Sequence, residues 1–462
     1  MFAAAAACRR RYNVWTSPVV IIFLWWSGWL VVALEDFIGI PAPSLTLVTL
    51  VLTALVFFLG GAFSGSFRPG YVRDRSPSDE QVASERVVKF WLVVCLLIAV
   101  PVLKVFSVGA SQVAVVGDLS SYRADALGGL QGKSTLYGQS AAFEIFYGSI
   151  VSPLLFGALL WVIARGWRRP TKERVLFGLV ALLVMLDSFA KFGRTTLYFF
   201  LLASIFAARF RANRSGSDPT KANRSKKTRR LLSFGALGAL VALLAILSYY
   251  RLGRHDITLS ETLGYFAVWY HTAGFALLDS ELIDRASHLN SAVTYGLASI
   301  GGVYNYCVYA FHVLGVELPS VARDNGILHN DFVKIGYSDK LNVPIFSNAY
   351  YTVLYSVFQD FRWIGVAVLS FFFGFVVNGA YARFVTNGRD SRLYLIILYL
   401  YLGLFGIFQS PLESPMFWVP LIAGLILERR WAPTANRPAA PGTLFHARES
   451  RDPPVHNRIS LR

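Results

Sequence analysis

The sequence predicts an all-α polytopic integral membrane protein. Of its 462 residues, 55% are hydrophobic and 15% are aromatic, and the mean hydropathy is +0.49. Soluble domains use fewer apolar residues. Apolar runs near the ~20 residues that cross a bilayer recur along the chain, which predicts about ten transmembrane helices. These runs lie at 15–35, 44–63, 88–106, 143–164, 175–190, 195–209, 231–250, 361–382, 393–409 and 415–428.

Basic linkers between the apolar runs predict the orientation. Lys and Arg outnumber Asp and Glu by 44 to 27, and much of the excess lies in short segments such as CRRRY and ARGWRRPTKER. In the predicted order of spans all these segments fall on one face, which the positive-inside rule makes cytoplasmic. The excess therefore indicates topology and contact with membrane lipids rather than nucleic acid, with both termini cytoplasmic.

The predicted organisation is a single transmembrane helical domain over 1–430 and a disordered basic cytoplasmic tail over 431–462. Two loops lie on the external face, at 107–141 and 251–360. The second contains aromatic-rich segments that predict membrane-associated helices, or one more hairpin of spans. The three cysteines have no metal-ligand spacing, so neither a disulfide framework nor a metal site is predicted.

Positive charge on the external face is the first candidate for chemistry. Lys191 and Arg194 lie in a short turn between two spans, where the positive-inside trend disfavours them. Asp187 comes four residues before Lys191 and could neutralise it on one helical face, but this alternative leaves Arg194 without a local partner.

A second cationic cluster follows the run 231–250. Arg251, Arg254 and His255 are spaced so that a continuing helix would present them on one face. Two such clusters at one membrane depth predict a bound anion, and the planar fork of arginine suits the oxygens of a lipid diphosphate. The alternative is snorkelling of these side chains to phospholipid headgroups.

A polar stripe precedes the run 361–382. Its members recur every four residues, as one helical face would present them. They are Asn348, Thr352, Ser356 and Asp360. Because hydroxyls, an amide and a carboxylate alternate with Tyr351 and Tyr355, the stripe predicts a glycan groove in a wet cleft; the alternative is plain helix packing. Asp360 should point inward and pair with Arg362 or a basic cluster.

Further acids and histidines of the same external region are candidates for a general base. They are Asp256, Glu261, His271, Asp279, His288, His329 and Asp331. Residue type does not rank them. The sequence lacks a Walker motif, HExxH, GxSxG and Asp-x-Asp, which argues against an ATP-driven engine, a zinc protease, a serine hydrolase and a metal-dependent nucleotide-sugar transferase. The energy would have to come with the substrate.

The sequence resembles the Wzy-type O-antigen and oligosaccharide repeat-unit polymerases. The resemblance rests on the large external loop late in the chain, on the Gly193-Arg194-Thr195 turn, and on the pattern that leads from Asn348 through Asp360-Phe361 to Gly365. The family often has glycine directly after the Asp-Phe pair, and here Arg362 stands there.

The resemblance implies a GT-C-type, metal-independent glycosyltransferase without a cofactor, at the periplasmic face of the bacterial inner membrane. A glycan on undecaprenyl diphosphate would pass, by its reducing-end sugar, to a hydroxyl of a new lipid-linked repeat unit. The implied partners are these lipid-linked oligosaccharides as donor and acceptor, with a chain-length regulator and a flippase beside them.

The resemblance also implies roles for the candidate residues. Arg194 and Arg251, with Lys191 and Arg254 in support, would clamp the diphosphate. One of His255, Asp256 and Asp360 would be the base or orient the acceptor. The groove would be lined by Asn348, Tyr351, Thr352 and Tyr355. Three alternatives stay open: an O-antigen ligase that hands polymer to lipid A core, a lipid-linked oligosaccharide flippase, and a membrane-bound acyltransferase that uses His271 or His312.

Overall fold

The computed structural model describes residues 17–35, 40–65, 77–116, 122, 135–138, 140–166, 171–191, 193, 195–214, 259–319, 333–338, 343–347, 351–387 and 390–430. The first half of the described chain is helical. Its helices are α1 (Pro18–Leu34), α2 (Leu45–Gly65), α3 (Pro77–Val116), α4 (Ala141–Phe146), α5 (Ser152–Arg165), α6 (Thr171–Lys191) and α7 (Thr195–Arg214). A π-helical turn, Tyr147–Val151, joins α4 to α5, and a 3₁₀ turn covers Thr135–Tyr137.

The second half adds a β-hairpin to the helices. Its elements are α8 (Leu259–Ile283), α9 (His288–Ser291), α10 (Gly301–Val313), β1 (Val333–Ser338), β2 (Val343–Ser347), α11 (Val353–Asn387), α12 (Asp390–Phe405) and α13 (Pro415–Arg430). A 3₁₀ turn, Pro411–Glu413, lies between α12 and α13. The two strands pair antiparallel and are a local addition to the predicted helical fold. Short strands with β-branched and aromatic residues favour this pairing.

Five helices are long and apolar enough to cross a membrane, which confirms a helical membrane protein. They are Leu45–Gly65, Glu85–Val115, Ala142–Arg165, Thr195–Ala212 and Val353–Thr386. Shorter apolar helices cover Pro18–Leu34 and Pro415–Glu428. The count of about ten spans stays a prediction, and the predicted span 231–250 and tail 431–462 lie outside the described residues.

Helices α2 and α11 pack backbone against backbone. A Cβ added at Gly61 would overlap the backbone of Phe371, and one added at Gly374 would overlap the backbone of Phe58. Small residues permit such close approach of two helices. The Asn378 side chain donates to the carbonyl of Ala62 at 2.7 Å. This contact fixes α11, and with it the polar stripe at its N-terminal end.

Helix α12 is anchored at both ends. At its C-terminal end the indole nitrogens of Trp25 and Trp26 donate to the carbonyls of Leu404 and Gly403 at 3.0 and 2.6 Å, where helical carbonyls lack intrahelical partners. At its N-terminal end Asp390 accepts from Arg165. The start of α11 contacts the C-terminal end of α12, since the amide of Val353 donates to the carbonyl of Gly406 at 2.6 Å.

Candidate functional site

The described members of the polar stripe are buried. Thr352, Ser356 and Asp360 are each 0% exposed, and Asn348 lies outside the described residues. Helix α8 covers this face through Gly274, where an added Cβ would lie 2.5 Å from the carbonyl oxygen of Ile407 and 3.3 Å from Thr352 Cγ2. The expected open cleft is therefore wrong for these three residues. Helix α8 packs on Thr352, Ser410 and Glu413 contact Ser356, and the segment 294–299 contacts Asp360.

Asp360 holds a neighbouring segment of chain on α11. Its Oδ1 accepts from the Thr294 hydroxyl at 2.5 Å and from the amides of Gly296 and Ala298 at 2.9 and 3.0 Å. Its Oδ2 accepts from the amide of Ser299 at 2.7 Å. Within the described part of the chain, four donors satisfy the buried carboxylate and no cation pairs with it. This environment favours a positioning role for Asp360 over the role of base.

Arg362 interrupts α11 in a backbone conformation that suits glycine. Its φ and ψ are 54° and −144°, a region that ordinary residues avoid. The resembled family often has glycine at this position. The expected pairing of Arg362 with Asp360 is wrong, because the Arg362 guanidinium donates to the carbonyls of Leu289, Asn290 and Ala292; the alternative pairing with a basic cluster stays a prediction. These three hydrogen bonds offset the strained backbone.

A second acid, the half-buried Glu413, is held by Ser356, which lies one helical turn before Asp360. Ser356 donates to Glu413 Oε1 and lies 2.6 Å from the hydroxyl of Ser410. Burial raises the pKa of Glu413 to about 7, the Ser356 hydrogen bond lowers it, and the charge of Asp360 raises it. Near neutral pH such a carboxyl group exists in both protonation states, so it can take up or release a proton.

Two stacked tyrosines link this acid to a third one. The rings of Tyr351 and Tyr355 stack with centroids 4.5 Å apart. The Tyr351 hydroxyl donates to Glu281 Oε1 at 3.2 Å, and Tyr355 interacts electrostatically with both Glu281 and Glu413. We call these residues the acid–tyrosine cluster: Glu281, Tyr351, Tyr355, Ser356, Ser410 and Glu413.

Lys191 has a local counter-charge. Its ammonium lies 2.8 Å from Asp187 Oδ1 and 3.0 Å from the Ser152 hydroxyl, above the ring of Tyr147. The Tyr147 hydroxyl donates to the same Asp187 oxygen at 2.6 Å. The structure therefore contains the ion pair that the spacing allowed as an alternative. It ties α6 to the π-helical turn and to the start of α5.

The other predicted cations and bases fall mostly outside the described part of the chain. This holds for Arg194, Arg251, Arg254, His255, Asp256, His329, Asp331 and the side chain of Glu261. Three other candidates for the base make contacts that hold the fold together. His271 stacks on Trp29 at 4.1 Å between ring centroids, Asp279 accepts from the amide of Ser44 before α2 at 2.8 Å, and His288 Nδ1 lies 3.1 Å from the Gln359 side-chain nitrogen.

Sequence reasoning missed Glu413, Glu281 and Ser410. One signal was available for Glu413: the segment QSPLESP places a carboxylate in a short turn between two apolar runs, where an ionisable group is costly without a function. Within the described ranges, no group of three or more His, Cys, Asp or Glu side chains could hold a metal ion.

The chain matches no protein-family model, no curated protein and no solved structure. The acid–tyrosine cluster and the sequence resemblance are therefore the two grounds on which a function can be proposed.

Proposed function

We propose that this protein is a metal-independent membrane glycosyltransferase that polymerises oligosaccharide units carried on undecaprenyl diphosphate, at the periplasmic face of the bacterial inner membrane. The observation that carries the proposal is the acid–tyrosine cluster. It places a carboxyl group with a pKa of about 7 beside stacked tyrosines, at the end of a helix long enough to cross the membrane. Aromatic faces and carboxylates are groups that suit a sugar.

The lipid-diphosphate donor needs little activation by the protein. The diphosphate is a good leaving group, so the protein has to stabilise the departing charge and align the acceptor hydroxyl. In this proposal Arg194 and Arg251 clamp the diphosphate, with Arg254, His255 and Asp256 close by. Lys191 supports the clamp indirectly, because Asp187 compensates its charge and the pair fixes the helix end just before Arg194.

The acceptor side is assigned to the cluster. The stacked rings of Tyr351 and Tyr355 support the cluster from within the protein, and Asn348 offers its amide to the sugar. Since Ser356 and Glu413 lie on the same buried face, a sugar hydroxyl that reaches them leaves bulk water before it reacts. Exclusion of water favours transfer to a hydroxyl over hydrolysis.

The test is the surface-polysaccharide profile of a strain that lacks the gene, restored with the wild type, with Arg194→Ala or with Arg209→Ala. Arg209 is an exposed residue of α7 and serves as the matched control. We expect a gel ladder reduced to core plus one repeat in the deletion strain, restored by the wild type and by Arg209→Ala and not by Arg194→Ala. Long polymer that stays on its lipid carrier would identify a ligase, and an unchanged ladder would overturn the proposal.

A further inference from the structure

The loop between α12 and α13 holds the carboxylate of Glu413 rigidly against Ser356 of α11. Glu413 closes the turn Pro411–Glu413, and its amide donates to the carbonyl of Ser410 at 3.2 Å. The Trp418 indole donates to the carbonyl of Leu412 at 2.7 Å and pins the same turn. Ser356 then fixes the direction of one carboxylate oxygen. Groups that act on a substrate need such fixed supports.

Two buried polar groups near this carboxylate have no hydrogen-bond partner in the described part of the chain: Thr352 Oγ1 and Glu281 Oε2. Thr352 is 0% exposed and precedes Ser356 by one helical turn, on the same face. Glu281 reaches the cluster through Tyr351. Buried polar groups in proteins usually have hydrogen-bond partners, and a ligand bound at this cluster would complete these two. Sugar hydroxyls donate and accept, and therefore match both.

We infer that Glu413 is the general base of the proposed transfer and that Ser356 and Ser410 position it. The acceptor hydroxyl oxygen forms a bond to the anomeric carbon of the donor while its proton passes to a Glu413 carboxylate oxygen. The bond from the anomeric carbon to the diphosphate oxygen breaks, and the diphosphate leaves with the electron pair. One glycosidic bond replaces one glycosyl phosphate bond, and Glu413 later returns the proton to water. This inference rests on the proposed function.

Glu413 suits this task better than Asp360 does. Four donors stabilise the charged form of Asp360, whereas burial favours the protonated form of Glu413. Among the side chains that the structure describes, the titratable groups around Glu413 are Asp360 and Tyr355 on α11, with Glu281 on α8 and Tyr351 beyond Tyr355. Helix α10 packs its backbone against the residue after Glu413, since a Cβ added at Gly302 would lie 2.5 Å from the Ser414 backbone.

The test uses purified full-length protein with a synthetic lipid-diphosphate oligosaccharide as both donor and acceptor. We compare the wild type with Glu413→Gln, Ser356→Ala and the exposed-acid control Glu35→Gln. A lost general base lowers kcat by about 100-fold or more, with KM within about threefold and Glu35→Gln unchanged. Ser356→Ala should lower kcat less and shift the pH profile. A kcat for Glu413→Gln within about threefold of the wild type would overturn the inference.

The pH profile of the wild type keeps the test decisive if Glu413→Gln fails to fold. A base must be deprotonated to act, so kcat should rise with pH through about 7 and then level off. A flat profile across this range overturns the inference even without the variant. A wild-type protein that binds the lipid substrate and forms no polymer at any pH would instead overturn the proposed function.

Discussion

Asp360 is buried and Glu413 is half-buried; the two acids are close enough to interact electrostatically, and their surroundings differ. Asp360 accepts hydrogen bonds from three backbone amides and a hydroxyl. These donors replace the hydration that the carboxylate loses on burial. Glu413 accepts from a serine, and burial raises its pKa to about 7. Burial alone therefore does not make a carboxylate reactive. The supply of donors decides whether it holds structure or exchanges a proton.

The largest expected effect comes from removing the charge of Asp360, the acid whose carboxylate accepts four hydrogen bonds. Asp360→Asn keeps the shape, but its amide nitrogen cannot accept from an amide of the 294–299 segment. We expect a loss of about 3 kcal/mol or more, seen as little folded protein in membranes and a lower melting temperature. Glu413→Gln should accumulate normally. If Asp360→Asn accumulates and Glu413→Gln does not, the two assignments are reversed.

The dependence of stability on pH tests the other acid. Folding raises the pKa of Glu413 from 4.5 to about 7, so the folded state binds more protons between these values. Stability from this group is therefore present at low pH and falls as pH rises towards 7, by up to about 3 kcal/mol. Melting temperatures of the wild type and Glu413→Gln from pH 5 to 8 measure the difference. Equal slopes for the two proteins would contradict the assigned pKa.

Substitutions of Arg362 test the strained backbone close to Asp360. Arg362→Ala and Arg362→Gly both lose the three guanidinium hydrogen bonds, but only glycine relaxes at the positive φ. We expect Arg362→Gly to be more stable than Arg362→Ala by about 1 kcal/mol. The control is Arg383, an exposed residue within α11, where the order should reverse because glycine weakens a helix. The same order at both positions would refute the strained turn.

The smallest expected effect lies at Thr352. Its hydroxyl is buried and has no hydrogen-bond partner in the described ranges, so Thr352→Val removes a desolvated polar group at nearly constant shape. We expect stabilisation by about 1 kcal/mol together with a higher KM for the lipid-linked acceptor. Thr386→Val is the control, because the Thr386 hydroxyl is already bonded within α11. A destabilised Thr352→Val with an unchanged KM would mean that the hydroxyl serves packing.

The sequence allowed most of the helices to be predicted, and local pairs among their residues. Apolar runs marked the spans, and the four-residue spacing marked Asp187 with Lys191. Of the stripe, Ser356 and Asp360 lie in α11 as the four-residue period predicted, and Thr352 directly precedes the helix. The partners of the stripe could not be predicted, because Glu413 is 57 positions from Ser356. The donors to Asp360 are mainly backbone amides, which every non-proline residue carries and no sequence pattern distinguishes.

The contact between α1 and α12 has a consequence for how the chain is made. Trp25 and Leu404 are 379 positions apart, and synthesis proceeds from the N-terminus. Helix α1 is therefore made long before the acceptors of its two indoles exist. An indole N–H can wait at the membrane interface, where tryptophan is favoured. The hydrogen bonds between α1 and α12 thus form late, and a chain released before α12 is made keeps only the contacts of α1 with earlier elements such as α8.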